Sequence, residues 1–295
     1  MSAPEAGARR SVVRDLEAAL AGIEDGAVVG IGGAVTSAHP MALVRGLARR
    51  GLRNLTIVAP TGGLDVEILV AAGAVDTVVT CYVGIEAVAA VAPVFRRAVQ
   101  DGAVKVKDLD EAHCVAGLRA AAQQLPFHPW RGGVGTSYPD INPELVAFED
   151  PIRAEPLLAV PALELDVALI YAETADEFGN VQVAGTGNMD QVIGAAAKRV
   201  IVQVDRVVAN EEIRREPART WYWRDCTVVR APFGTHPYSS AWMTADEGHL
   251  AEYTKAGQAG GKELALYMER HVHAPADHDA YLEAIGIRKI AGLQV

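Results

Sequence analysis

A buried-strand pattern that ends in a double glycine most constrains how this chain can fold. Residues 27–31 are apolar and largely β-branched, and Gly32 and Gly33 follow them directly. Pro40 then stands where a first helical residue is expected. Free backbone N–H groups beside a helix N-terminus suit an anion or a developing oxyanion. A plain β-to-α turn without a ligand explains this segment equally well, so both interpretations stay open here.

The glycines do not form a dinucleotide-binding fingerprint. The pattern GxGxxG needs a third glycine three places after Gly32, and Val35 occupies that place. An acidic residue should also close the second strand, but residues 55–59 lead into a second double glycine, Gly62 and Gly63. Two such loops at one edge of a sheet predict a shared crevice at the carboxyl ends of the strands.

Apolar runs and helical periodicities alternate along the chain. The patterns predict helices at 11–26, 40–50, 64–73, 85–100 with a break at Pro93, 110–124 and 189–197, and strands at 27–31, 55–59, 75–83, 103–107, 157–160, 165–171, 200–204 and 226–231. The chain after Asp246 is mainly helical in pattern. This alternation predicts an α/β fold with an open, mostly parallel sheet and helices on both faces. We expect one domain over residues 1–295, with a long functional loop at 125–145.

Composition narrows the class of protein. The formal net charge of the 295-residue chain is −10, which argues against a general nucleic-acid binder. The first ten residues lack the apolar core of a signal peptide, and no run is long and apolar enough to predict a membrane span. Three distant cysteines without a CxxC argue against a disulfide framework and a zinc site, and fit a reducing cytoplasm.

Familiar motifs of hydrolases, nucleotide-binding loops and zinc proteases do not occur. The sequence contains no GxSxG, GxxxxGK[ST] or HExxH. His271, His273 and His278 cluster near the C-terminal end, but no cysteine or paired carboxylate set joins them. A solvated helix end is therefore favoured over a metal site.

Glu111 and Arg131 are the strongest candidates for chemistry. Glu111 opens a predicted helix, where the helix dipole favours a carboxylate, so a plain terminal charge is one explanation. Arg131 follows a stiff, proline-framed apolar segment, and arginine suits bidentate binding of carboxylate or phosphate. A solvated loop charge is the alternative. Together the two residues would form an acid–base and anion-binding pair.

An ordered set of motifs resembles a known family over nearly the whole length. The matching segments are 31–33 with Pro40, 120–127 with Pro129, 159–162, 165–170, Asp176 with 179–181, 195–198, 210–215, 231–237, and 278–279 with 281–282. In this order they resemble the α subunit of heteromeric class I coenzyme A transferases of the glutaconate type. The resemblance implies the CoA-transferase type I fold and an acyl-CoA substrate, with CoA as part of that substrate and no permanently bound cofactor.

The same resemblance implies a partner. The family pairs this subunit with a homologous β subunit, commonly as α2β2, and the covalent carboxylate nucleophile lies in the β subunit within Glu-Asn-Gly. This chain has no Glu-Asn-Gly, which agrees with an α role. Under this hypothesis the N–H groups of Gly32 and Gly33 line the oxyanion region, with Gly62 and Gly63 also near substrate.

A related branch implies different chemistry. The cholesterol ring-cleaving hydrolases act on a cyclic 1,3-dicarbonyl CoA thioester, and their α subunit uses a glutamate and an arginine at the positions of Glu111 and Arg131. In that case Glu111 is a general base for C–C bond hydrolysis and Arg131 holds a carboxylate or enolate. Ala38 and His39 depart from both groups, which carry basic residues before the proline. A decarboxylase on the same fold and a non-catalytic ligand-binding module remain further alternatives.

Overall fold

The computed structural model describes residues 10–86 and 88–295. Its strands are β1 Val13–Arg14, β2 Val28–Ile31, β3 Leu55–Val58, β4 Thr61–Gly62, β5 Val75–Thr80, β6 Tyr82–Val83, β7 Lys105–Asp108, β8 Phe127–Trp130, β9 Val146–Glu149, β10 Pro156–Pro161, β11 Leu165–Asp176, β12 Val181–Gln182, β13 Ala197–Val208, β14 Thr220–Trp221 and β15 Cys226–Arg230. Its α-helices are α1 Leu16–Leu20, α2 Met41–Arg49, α3 Leu64–Ala71, α4 Pro93–Gln100, α5 Glu111–Ala122, α6 Tyr138–Ile141, α7 Asp190–Ala196, α8 Asn210–Ile213, α9 Glu247–Ala259, α10 Gly261–Met268, α11 His278–Ile285 and α12 Ile287–Gly292. A 3₁₀ turn forms at Pro217–Arg219 and a π-helical turn at Glu269–His273.

The main sheet is open and mostly parallel, as predicted. Its strand order is β1-β15-β13-β11-β2-β3-β5-β7, and every neighbouring pair along this path is parallel. Only the short strands β12 and β14 join antiparallel. The chain leaves β2 toward β7 and returns to β11 on the other side of β2. The topological switch point, where ligands of such sheets bind, therefore lies at the carboxyl ends of β2 and β11.

Helices cover both faces of this sheet. On one face α2, α3 and the C-terminal helices share an apolar core that includes Leu43, Leu69 and Leu250. On the other face α5 and α7 contribute Leu118 and Ile193 to a second core. The C-terminal region from α9 onward is helical, as predicted. Among residues 10–86 and 88–295, no helix combines the length and apolar character needed to cross a bilayer.

Two predicted helices were wrong in extent. The segment 11–26 contains strand β1, which pairs with β15, and only the short helix α1 capped by Asp15. The β-branched residues at 12–13 favour that edge pairing over a helix. The predicted helix at 85–100 begins only at Pro93, because proline fits the first helical position, where its missing N–H costs no hydrogen bond.

The segment 125–145 is not a loop throughout, which corrects the prediction. It contains β8 and α6, and β8 pairs with β10 in a separate three-stranded antiparallel sheet of order β8-β10-β9. Pro129 disguised this strand in the sequence. A proline is compatible with β8 because β8 is an edge strand, where one N–H can go unpaired.

Candidate active site

The two double-glycine loops meet at the carboxyl edge of the sheet. Gly33 lies against His39, since a Cβ built on Gly33 would stand 2.8 Å from the His39 Cα. Gly63 lies against the Tyr238 hydroxyl. The rings of His39 and Tyr238 contact each other with centroids 4.4 Å apart, and both side chains are buried. The loops thus share one place, as expected, but side chains fill the space between them.

The glycine N–H groups are not free donors, contrary to the simplest form of the oxyanion hypothesis. The N–H of Gly32 donates to the Leu169 carbonyl at 2.9 Å, and that of Gly33 donates to Asp190 Oδ1 at 2.8 Å. The N–H of Gly63 donates to Asp65 Oδ1 at 2.6 Å. The Gly62 carbonyl accepts from the N–H of Gly84 at 3.1 Å. A contact of these N–H groups with substrate stays a prediction and requires one of these bonds to open.

Asp190 is a buried carboxyl group at the switch point. It is the first residue of α7 and is fully enclosed. Burial raises its pKa to about 7, and Glu173 on β11 adds to the rise, whereas the Gly33 N–H and His39 oppose it. Glu173 is itself buried and accepts the N–H of Ala184 at 2.7 Å. A titratable cluster in this position is typical of functional sites.

His39 joins this cluster to the second glycine loop. Its Nδ1 lies 3.2 Å from Asp65 Oδ2, and both side chains are buried. Burial alone would raise the pKa of Asp65, but the attraction of His39 and backbone N–H bonds hold it below its usual value. Sequence reasoning missed Asp65 and Tyr238 and treated His39 only as a departure from a family pattern. Its place beside Pro40 was the available signal.

Glu111 is the first residue of α5 and its side chain is exposed. The neighbouring Asp110 caps the helix by accepting the N–H of His113 at 2.9 Å. The N–H of Asp110 donates to the Tyr138 hydroxyl at 2.8 Å. Tyr138 belongs to α6, which follows Arg131 by seven residues, so the segment after β8 lies against the start of α5.

Arg131 follows β8 and is already paired. Its Nη2 forms an ion pair with Glu155, which precedes β10. In the part of the chain that the structure describes, no hydrogen bond or ion pair joins Glu111 to Arg131, and Glu111 forms none with any residue. The structure therefore brings their segments together without pairing the two side chains.

Cys81 lies at the same edge but is not an activated thiol. It follows β5, and its Sγ–H donates to the Pro60 carbonyl at 2.8 Å. Burial, with the charge of Glu111 as the next cause, raises the pKa of Cys81 to about 11. Because the thiolate is the nucleophilic form, Cys81 is a poor nucleophile at neutral pH.

The C-terminal histidines differ from the prediction of a solvated helix end. His273 is exposed, but His271 is buried beside Glu252, and His278 Nε2 contacts the Pro232 carbonyl at 2.7 Å. Candidate metal-ligand groups within the described residues are His236 with Asp246 and His249, and His249 with Glu252 and His271. Lys289 Nζ lies 2.7 Å from Asp246 Oδ2 and already balances that carboxylate. The expectation of no metal site therefore stays a prediction.

Three known proteins resemble this chain. It is 34% identical over 271 residues to an uncharacterized protein of Archaeoglobus fulgidus, covering 90% of this chain but only 60% of that protein. It is 34% identical over 268 residues to the cholesterol ring-cleaving hydrolase IpdA subunit of Rhodococcus jostii, covering 86% of this chain and 90% of that protein. The corresponding glutaconate CoA-transferase subunit of Acidaminococcus fermentans is 29% identical over 292 residues, covering 92% of this chain and 91% of that protein.

The fold agrees with these similarities. The crystal structure of the Acidaminococcus fermentans enzyme superposes with a TM-score of 0.91 at 28% identity, over 97% of this chain and 96% of the other. The family model for coenzyme A transferase matches residues 13–223. The chain therefore belongs to the coenzyme A transferase family, as an α subunit of the class I, glutaconate type.

Proposed function

We propose that this chain is the α subunit of a heteromeric enzyme that transfers CoA between carboxylic acids, with a homologous β subunit that supplies the nucleophile. The observation that carries the proposal is the state of this chain's own candidates. Asp190 is engaged by Gly33, Cys81 is held protonated, and only Glu111 is exposed at the sheet edge without a hydrogen bond or ion pair among the described residues.

In this mechanism a glutamate of the β subunit first attacks the thioester carbonyl and expels CoA thiolate, which leaves an acyl-glutamyl anhydride. The thiolate then attacks the glutamyl carbonyl, releases the first acid and forms a glutamyl-CoA thioester. The acceptor acid reverses these steps to give the new acyl-CoA. Two covalent intermediates divide one difficult transfer into easier steps. Glu111 and Arg131 border the substrate and orient it.

A second candidate is hydrolysis of a C–C bond in a cyclic acyl-CoA, favoured by the freedom of the Glu111 carboxylate. An exposed carboxylate at the sheet edge can take a proton from an attacking water molecule. Arg131 lies in the adjoining segment and would bind a substrate carboxylate or enolate. The similarity to the ring-cleaving hydrolase of Rhodococcus jostii supports this assignment.

An apolar sheet face supports the need for the β subunit. In the sheet β8-β10-β9, Phe127 is opposite Pro161, and Phe148 is opposite Leu157, so these side chains share the outward face. Phe127 and Phe148 contact each other with ring centroids 5.7 Å apart, and Phe127 remains 39% exposed. We propose that the β subunit covers this face in an α2β2 assembly in the cytoplasm.

The test is a reconstitution. The chain is co-expressed with its β subunit, and CoA release from acyl-CoA is measured with and without an acceptor acid, for the native complex and for Glu111→Gln. The transferase hypothesis predicts release that depends strictly on the acceptor and survives Glu111→Gln. Acceptor-independent release that falls by about 10²–10⁴ in Glu111→Gln establishes the hydrolase instead. Full activity of the chain alone rules out the need for a β subunit.

A further inference from the structure

A cleft of about 460 Å³ lies at the carboxyl ends of β13 and β15, apart from the glycine loops. Arg206 and Arg230 line it together with an apolar wall formed by Pro232, Phe233 and Trp242. Its volume lies within the range of small-molecule sites, and an apolar wall with few charged groups is typical of them. None of the candidate residues from the sequence lies in this cleft.

The two arginines are placed on the same side of the sheet. Arg230 is paired in register with Val204, and Arg206 follows Val204 by two residues on β13. Strand spacing and rise therefore put the two backbone positions about 8 Å apart, close enough for both guanidinium groups to reach one phosphorylated ligand.

Both guanidinium groups are available. Each arginine is exposed, and neither forms an ion pair or hydrogen bond with any described residue. Arg219 on the adjoining surface is, by contrast, paired with Glu216. Arg206 Cζ lies 5.2 Å from the centre of the Trp242 ring, so a cation and an aromatic face stand side by side.

One carboxylate also lines the cleft. Asp205 accepts a hydrogen bond from the Tyr171 hydroxyl and another, at 2.8 Å, from the N–H of Phe233. Burial raises its pKa to about 6. Its oxygens are engaged within the fold, so the net charge presented to a ligand comes from the two unpaired arginines.

We propose that this cleft binds the phosphorylated adenosine end of the acyl-CoA substrate. The assignment rests on the proposed function for the identity of that ligand. Arginine forks bind phosphate in bidentate fashion, and an indole face stacks on a flat heterocycle. The cleft shares the carboxyl edge with Glu111 but lies five strands from β7, about 24 Å away. The flexible pantetheine arm of CoA would run along this edge and present the thioester near α5.

The first test uses the assembled complex and two substrates that differ only in the nucleotide. We expect the double variant Arg206→Ala/Arg230→Ala to raise KM for an acyl-CoA at least about 10-fold, because charge-assisted hydrogen bonds are lost. KM for the matching acyl-pantetheine thioester should not change, since it lacks the phosphates. Arg224→Ala is the matched control, because Arg224 is exposed at the opposite end of β15. An equal rise for both thioesters, or none for acyl-CoA, overturns the proposal.

A binding measurement separates this inference from the proposed function. Titration calorimetry on the full chain with adenosine 3′-phosphate 5′-diphosphate should show binding that the double variant loses and Arg224→Ala keeps. This result is independent of turnover, so it stands even if no acyl-CoA reacts. Absence of binding to the native chain overturns the site. Equal or tighter binding of ADP without the 3′-phosphate overturns the CoA assignment and identifies a general nucleotide site.

Discussion

The carboxylate of Asp190 accepts the backbone N–H of Gly33 at 2.8 Å, which ties the loop after β2 to the first residue of α7. The two residues are 157 positions apart in sequence and both are buried. This bond closes the switch point between β2 and β11 from within the chain. The first glycine loop is thus a fixed part of the scaffold, and its conformation depends on the second half of the chain.

Gly33→Val tests how tightly this loop is packed. The residue has φ +93°, a region that side chains rarely adopt, and the new Cβ would stand 2.8 Å from the Cα of His39. We expect turnover of the complex to fall by more than about 10-fold, as for a lost oxyanion-region contact. Gly26→Ala is the control, since Gly26 has φ +79° and open space around it, and its strain costs about 1–2 kcal/mol. Equal turnover and urea-unfolding profiles for both variants would mean that packing at Gly33 is unimportant.

Asp190→Asn tests the pH dependence of stability. Burial raises the pKa of Asp190 to about 7, whereas an unfolded aspartic acid titrates near pH 4. Between these values the folded chain binds more protons, so its free energy of unfolding falls as pH rises.

Asparagine cannot titrate but keeps an oxygen for the Gly33 N–H. The variant should therefore lose up to about 1.4 kcal/mol per pH unit of this decline between pH 5 and 7, measured by urea unfolding. Glu67, whose pKa burial also raises to about 7, leaves a residual slope of the same sign in both proteins. Parallel pH profiles for the native chain and the variant would show that Asp190 is ionised in the fold.

Local patterns predicted the parallel sheet because β2, β3 and β11 are short or long apolar runs whose neighbours must cover both faces. They could not predict which polar groups meet. The approach of Asp190 to Gly33, or of His39 to Tyr238, depends on strand order, and that order brings together residues far apart in sequence. The occupied glycine N–H groups were missed for this reason, and β8 was missed because Pro129 reads as a loop signal.

Tyr238→Phe tests the contact between the loops. The Tyr238 hydroxyl accepts the N–H of Leu64 at 2.7 Å in a fully buried position. Removing it leaves that N–H without its partner, so we expect a loss of about 1–3 kcal/mol in the free energy of unfolding. Tyr222→Phe is the matched control, because Tyr222 is 66% exposed and forms no hydrogen bond within the described residues. A loss below about 0.5 kcal/mol for both changes would contradict a structural role of the hydroxyl.

The ion pair between Arg131 and Glu155 separates two possible roles of the arginine. Arg131 is mostly exposed, and exposed pairs contribute about 0–1 kcal/mol, so neither Arg131→Lys nor Glu155→Gln should change the free energy of unfolding by more than that. If Arg131 binds a substrate carboxylate, Arg131→Lys should reduce kcat/KM by about 10-fold or more, because lysine lacks the planar fork. Glu155→Gln should retain activity, since it frees the guanidinium for the substrate. The assay is steady-state turnover of the assembled complex, with urea unfolding in parallel. Equal losses of activity in both variants would show that the ion pair itself matters by holding the segment after β8 in place, and full activity of Arg131→Lys would remove Arg131 from the site.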